Sequence, residues 1–185
     1  MTTEDKVGPS DRRLVFFDGD VTKASIAELR GQLIDHHNQD AGATVTIVIN
    51  SVGGSVIHAL GFVNFVRHLM RLRIDTICTC TASSAAVPLF MLGKERLLAP
   101  DAYMVLHQAA NIVDGTQPMD TRAFESHAAH VRHIDETYSR VVSAAAGKLT
   151  PSAVLDLMKK DTTVHAKRAI KIGLATGMLK APRRH

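Results

Sequence analysis

The chain has 185 residues, of which 45% are hydrophobic and 22% charged. This composition excludes a disordered chain, and the length is typical of one globular domain. No run of 18 apolar residues could span a membrane. Three of the four excess positive charges lie at the end of the chain, in Lys180, Arg183 and Arg184. With no Trp and only two Tyr for base stacking, we expect neither nucleic acid nor a membrane as a partner.

The N-terminus and the cysteines indicate a cytoplasmic protein. Residues 1–6 are polar and contain no apolar segment of the kind that directs export. Cys78 and Cys80 fall within one predicted strand, and we expect both to be buried, reduced thiols. The sequence therefore predicts no disulfide, no metal site and no cofactor.

Strand patterns and helix patterns alternate along the chain. The predicted strands are 14–17, 44–50, 74–80, 97–98 and 103–107. Apolar residues at helical spacing predict two helices that include the stretches from residue 26 and from residue 56, and two more at 84–92 and 121–146. A further helix is predicted to start at Pro151, and the last helix is predicted to end at Gly173. Successive strand–helix units imply crossover connections, so we expect an α/β layer.

Two strand-to-helix corners carry residues that could do chemistry. Residues 49–55 read Ile-Asn-Ser-Val-Gly-Gly-Ser, and glycines there allow backbone N–H groups to face a developing oxyanion. Residues 81–86 place Ser83 and Ser84 at the start of a helix, where a serine is more often an N-cap. His107 ends an apolar strand, where a lone histidine is more often a hydrogen-bonded core residue. None of these features indicates an enzyme by itself.

Taken together and in order, these segments resemble the proteolytic subunit family of the Clp protease (ClpP), which are serine peptidases. The family's Ile-Asn-Ser-Pro-Gly-Gly segment appears at 49–54, its Ala-Ala-Ser-Met-Gly-Ala segment at 82–87 and its hydrophobic-His-Gln segment at 104–108. Its Asp loop appears as Asp161, followed by Ala166, Ala169, Gly173 and Leu174. The similarity extends from about Arg13 to Leu179, and four ordered motifs are far more specific than any one of them.

The resemblance implies the architecture. We expect an α/β, ClpP/crotonase-like fold of repeated strand–helix units with a long protruding helix. Residues 14–179 would form a single peptidase domain, between a short polar N-terminal segment at 1–13 and a basic C-terminal tail at 180–185.

The resemblance also implies the site. Ser84 would be the nucleophile, His107 the general base and then acid, and Asp161 the group that orients and stabilises the imidazolium. The backbone N–H groups of Gly54 and Ala85 would form the oxyanion hole. Substrate peptides would pair in extended form with the loop at 109–115. The substrate-binding residues are then Gly53, Gln108, Ala109, Ala110 and Asn111.

Departures from the family pattern leave two alternatives open. Val52 stands where the family has Pro, and Ala85 and Ala86 stand where it has Met-Gly. Ser83 offers a competing hydroxyl, although alignment on Gly93 favours Ser84. The alternatives are a crotonase-like acyl-CoA enzyme and a catalytically silent subunit that assembles with active paralogues.

The family's partners give further expectations. The helix at 121–146 would hold together a homo-oligomer of seven-subunit rings, possibly stacked, with His127, His130 and His133 near the ring–ring contact. Assembly would weaken below about pH 6 as imidazoles become charged. The partner would be a Clp-type ATPase or a paralogous ClpP subunit. Because residues 1–13 are short compared with the family's N-terminal segment, we expect weak stimulation by the ATPase.

Overall fold

The computed structural model describes residues 13–110 and 120–181. The strands are β1 (Arg13–Asp18), β2 (Thr44–Ser51), β3 (Arg73–Ala82), β4 (Arg96–Leu98), β5 (Tyr103–Leu106), β6 (Thr162–His165) and β7 (Gly177–Met178). The helices are α1 (Lys23–Gln39), α2 (Val56–Leu69), α3 (Ala86–Phe90), α4 (Thr121–Ala146), α5 (Pro151–Lys159) and α6 (Ala166–Ile172). The N-terminal segment, most of the loop after Ala110 and the end of the basic tail lie outside the described residues.

A mostly parallel sheet forms the centre of the fold. The strands β1, β2, β3, β4 and β7 lie in that order and pair in parallel. β5 pairs in parallel with the end of β3 and antiparallel with β6. These two strands lie off the main strand order. Val45, Ile47 and Ile49 of β2 alternate along the strand and so share one face of the sheet, and all three are fully buried. The predicted α/β fold is confirmed.

Polar caps and glycines set the ends of the helices. The Thr22 side chain accepts from the Ser25 N–H at the start of α1. Asp120 and Thr150 cap α4 and α5 in the same way, through the N–H groups of Ala123 and Ala153. The end of α6 falls at Gly173, whose φ of 85° is left-handed, as its position in the sequence predicts.

Two local predictions are wrong. The helix predicted at 84–92 is only the five residues of α3, because Ser84 has a φ of 52° and cannot lie in a right-handed helix. Cys78 is buried but Cys80 is exposed, since β4 is short and pairs only with residues 76–78 of β3.

No helix within 13–110 or 120–181 has both the length and the apolar character needed to cross a membrane.

Candidate active site

The two corners predicted from the sequence lie against each other. β2 and β3 are parallel neighbours, so both corners follow the carboxyl ends of adjacent strands, and the Ser83 N–H donates to the Ser51 carbonyl at 3.0 Å. Gly53 has a φ of 107°, and a Cβ built on it would lie 2.6 Å from the Cβ of Ser84 and 2.7 Å from the Ser83 carbonyl oxygen. Only glycine fits at this position without a shift of the serine corner.

Ser84 has a strained backbone that is held at both ends. Its φ of 52° is left-handed, a conformation that residues other than glycine rarely adopt. Its N–H donates to the Val105 carbonyl at 2.8 Å, and its own carbonyl accepts from the Tyr138 hydroxyl at 3.1 Å. The Ser84 hydroxyl makes no hydrogen bond to any described residue and is half-buried. A sharp strand-to-helix turn that leaves a serine hydroxyl free is typical of nucleophile corners in hydrolases.

The neighbouring Ser83 has a different environment. Its side chain is buried, and its hydroxyl shares a 2.6 Å hydrogen bond with the hydroxyl of Thr81. Of the two serines, Ser84 is therefore the one whose hydroxyl is available to an external group.

Two backbone N–H groups next to Ser84 are also available. The Val21 N–H donates to the Gly53 carbonyl at 2.7 Å, and the Val21 carbonyl accepts from the Ser55 N–H at 2.8 Å. These bonds engage both neighbours of Gly54 but leave the Gly54 N–H free. Within the described residues, the N–H groups of Gly54 and Ala85 have no acceptor. Two unused donors beside a free hydroxyl can stabilise an oxyanion.

His107 and Asp161 lie at facing ends of two antiparallel strands. Leu106 of β5 pairs with Thr162 of β6, and His107 and Asp161 are the next residue on each strand. Each therefore comes directly beside the last pair of the two strands, so both residues lie at the same end of the strand pair. Asp161 has a φ of 46°, so it and Ser84 are the only described residues other than glycine with positive φ. The fold thus brings Ser84, His107 and Asp161 to the same end of the sheet.

The three side chains are not joined by hydrogen bonds in this structure. The Nδ1 atom of His107 lies 2.8 Å from the Gln108 carbonyl oxygen. No hydrogen bond links His107 to Ser84 or to Asp161, and the exposed Asp161 carboxylate has no partner among the described residues. The structure places the three residues at one end of the sheet, where they are not hydrogen-bonded to one another.

Comparison with known proteins establishes the family. The sequence profile of the Clp protease family matches residues 9–182. The chain belongs to the Clp protease family. ATP-dependent Clp protease proteolytic subunit 1 of Corynebacterium efficiens is 26% identical over 166 residues, covering 89% of this chain and 77% of that protein. A proteolytic subunit 1 of Tropheryma whipplei is 25% identical over 169 residues, which cover 90% of this chain and 80% of that protein. Proteolytic subunit 1 of Rhodococcus jostii is 31% identical over 102 residues, which cover 54% of this chain and 46% of that protein.

This Clp protease family member also has two site residues that the motifs did not predict. Asp135 and Tyr138 of α4 are both buried, and Tyr138 holds the Ser84 carbonyl while Asp135 binds the segment after β5. Burial raises the pKa of Tyr138, and the nearby Asp135 raises it further. The signal in the sequence was a carboxylate on the apolar stripe of α4, between Val131 and Tyr138, since an acidic side chain is rarely buried without a specific partner.

The buried cysteine and the histidines of α4 lie in different surroundings. Burial raises the pKa of the Cys78 thiol to about 12, so the reactive thiolate is scarce at neutral pH. His130 and His133 are exposed on α4 and His127 is half-buried. No three His, Cys, Asp or Glu residues of the described ranges lie close enough together to hold a metal ion.

Proposed function

We propose that this Clp protease family member is a serine endopeptidase subunit, with Ser84 as nucleophile, His107 as base and then acid, and Asp161 as the stabilising carboxylate. The observation that carries the proposal is the free Ser84 hydroxyl, in a left-handed corner beside the unused N–H groups of Gly54 and Ala85. Such an arrangement costs backbone strain and has no evident structural benefit. It is what acyl transfer requires.

The reaction would proceed in two steps. In the first, Ser84 Oγ bonds to the substrate carbonyl carbon as His107 Nε2 takes the hydroxyl proton, and the carbonyl oxygen becomes an oxyanion held by the N–H groups of Gly54 and Ala85. The C–N bond then breaks, and His107 returns the proton to the leaving amine. In the second, water attacks the acyl-enzyme with the same proton transfers and releases the carboxylic acid. Asp161, at the facing strand end, stabilises the imidazolium.

The substrate would be an extended peptide from an unfolded protein or a short peptide. Gly53 lies against Ser84, and Gln108, Ala109 and Ala110 follow His107 in the chain, while Asn111 lies outside the described residues. Main-chain pairing to an extended peptide recognises backbone and gives little side-chain selectivity.

We infer the assembly and the partners from the family. The named relatives are proteolytic subunits of ATP-dependent Clp proteases. By the same family relation, we expect rings of seven copies joined through α4, a Clp-type ATPase or a paralogous subunit as partner, and a cytoplasmic location. The outer end of α4 carries Phe124, which is 56% exposed and would be covered by another subunit.

A catalytically silent subunit is the second candidate. The observation that favours it is the absence of hydrogen bonds between His107 and either Ser84 or Asp161. In hydrolases such bonds are often long until substrate is bound, which is why the peptidase is the better-supported function. Family membership disfavours the acyl-CoA enzyme that the sequence left open.

Covalent labelling with a fluorophosphonate tests the proposal. The wild-type protein should be labelled and should cleave short fluorogenic peptides without ATP. Ser84→Ala should lose both properties while assembling normally, and Ser83→Ala is the matched control that should keep them. Loss of labelling in Ser83→Ala alone would show that the nucleophile is misassigned. A wild-type oligomer that is neither labelled nor active would support the silent subunit.

A further inference from the structure

Asp135 is a buried carboxylate with an unusual set of partners. The residue is 3% exposed on α4, and no Lys or Arg of the described chain forms an ion pair with it. Its Oδ1 accepts from the Ala109 N–H at 2.8 Å, and its Oδ2 accepts from the Gln108 side-chain amide at 3.1 Å. Both donors lie in the segment that follows β5. Among the described residues, these two hydrogen bonds are what stabilises the buried carboxylate, so it holds this segment firmly.

The same segment holds the His107 ring. The Nδ1 atom of His107 lies 2.8 Å from the Gln108 carbonyl oxygen, which can only accept a hydrogen bond. Nδ1 therefore carries a proton in this arrangement. In the neutral ring, the lone pair is then on Nε2, the nitrogen that a general base needs for the serine proton.

One peptide unit connects the two interactions. The Gln108 carbonyl and the Ala109 N–H are the two polar groups of a single planar peptide, which is trans, so they point in opposite directions. Asp135 binds the N–H side and His107 binds the carbonyl side. A carboxylate on the N–H fixes the rotation of the peptide plane, aims the carbonyl at His107 and strengthens it as an acceptor by polarisation.

We propose that Asp135 is a positioning residue that sets the tautomer and orientation of His107 through the peptide between Gln108 and Ala109. The inference rests on the proposed peptidase function and deepens it. On this proposal the two carboxylates have different roles. Asp135 orients His107 so that Nε2 can act as the base before substrate binds, and Asp161 stabilises the positive charge that forms on His107 during the reaction. The exposed, unbonded Asp161 is consistent with this division.

Side-chain ¹⁵N spectra of His107, assigned by the signals lost in His107→Gln, read the tautomer directly. The wild-type protein should show the Nδ1–H form. Asp135→Ala should show a mixture of tautomers and a fluorophosphonate labelling rate lower by about tenfold to a hundredfold, as expected when a reacting group is displaced by about 1 Å. Asp135→Asn should retain much of both properties, because its side-chain oxygen can still accept from the Ala109 N–H. Glu136→Gln, an exposed carboxylate one residue further along α4, is the matched control and should match the wild type.

The outcomes separate this inference from the proposed function. Wild-type labelling, together with an unchanged tautomer and labelling rate in Asp135→Ala, would overturn the role of Asp135 and leave the peptidase intact. A wild-type protein that is not labelled, but whose His107 loses the Nδ1–H form in Asp135→Ala, would support the positioning and reject the peptidase. Should Asp135→Ala fail to fold, an Nε2–H tautomer in the wild type or in Asp135→Asn would overturn the inference by itself.

Discussion

The carboxyl ends of β2 and β3 approach so closely that a Cβ on Gly53 would lie 2.6 Å from the Cβ of Ser84. We expect Gly53→Ala to destabilise the protein by roughly 2–4 kcal/mol, since the new methyl both meets the serine corner and strains a backbone with positive φ. Fluorophosphonate labelling should fall with it. Gly61→Ala is the control: apart from the backbone of α2 itself, no atom lies within 4 Å of the added Cβ, so helix propensity should make it neutral or stabilising in urea unfolding.

The left-handed backbone of Ser84 gives a second prediction. Ser84→Gly should unfold at higher urea concentration than Ser84→Ala, with a difference of about 1 kcal/mol, because glycine adopts positive φ without a steric penalty. Both variants should be inactive. Equal stabilities would show that the corner stores no strain.

Asp161→Asn should lower kcat much more than it changes KM. An amide cannot stabilise the imidazolium, whereas asparagine tolerates the left-handed backbone at this position, so the fold should be unaffected. The control is Asp101→Asn, an exposed acidic residue that lies before β5, at the opposite end of that strand from His107, and it should keep full activity. Full activity of Asp161→Asn combined with loss in Asp101→Asn would transfer the role to Asp101.

Tyr138 predicts a dependence of stability on alkaline pH. Burial raises its pKa, so the native state holds the phenolic proton more tightly than the unfolded chain. The resulting stabilisation is complete below about pH 10 and is lost as the pH rises above that value. At neutral pH, Tyr138→Phe should be less stable by about 1 kcal/mol, because it loses the hydrogen bond to the Ser84 carbonyl.

Urea unfolding of the wild type and Tyr138→Phe between pH 7 and pH 11 checks this prediction. The wild type should lose its advantage as the pH rises past 10, whereas groups common to both proteins cancel in the difference. A stability gap that stays constant over this range would mean that the Tyr138 hydroxyl is not buried in the native protein.

The order of strands and helices along the chain could be predicted from short-range sequence signals. Alternation of buried strands with helical spacing indicated an α/β layer, and caps such as Thr150 with Pro151 and the left-handed Gly173 marked helix ends that the structure confirms. These signals are local, because they depend on backbone hydrogen bonds and dihedral preferences within a few residues. The start of α3 was predicted wrongly because it does not depend on local signals: the turn at Ser84 is held by Val105 and Tyr138, which are distant in the sequence.

The sequence by itself determined the family, since four ordered motifs are specific even without geometry, and it supplied the candidate catalytic groups. Only the tertiary structure decided how those groups are held. Ser83 is engaged by Thr81, whereas the Ser84 hydroxyl is free. His107 is turned towards the Gln108 carbonyl by a peptide that Asp135 holds from α4. The physical reason is that hydrogen bonds between distant elements fix side-chain orientation, and no pattern along a single segment encodes the distance between two segments.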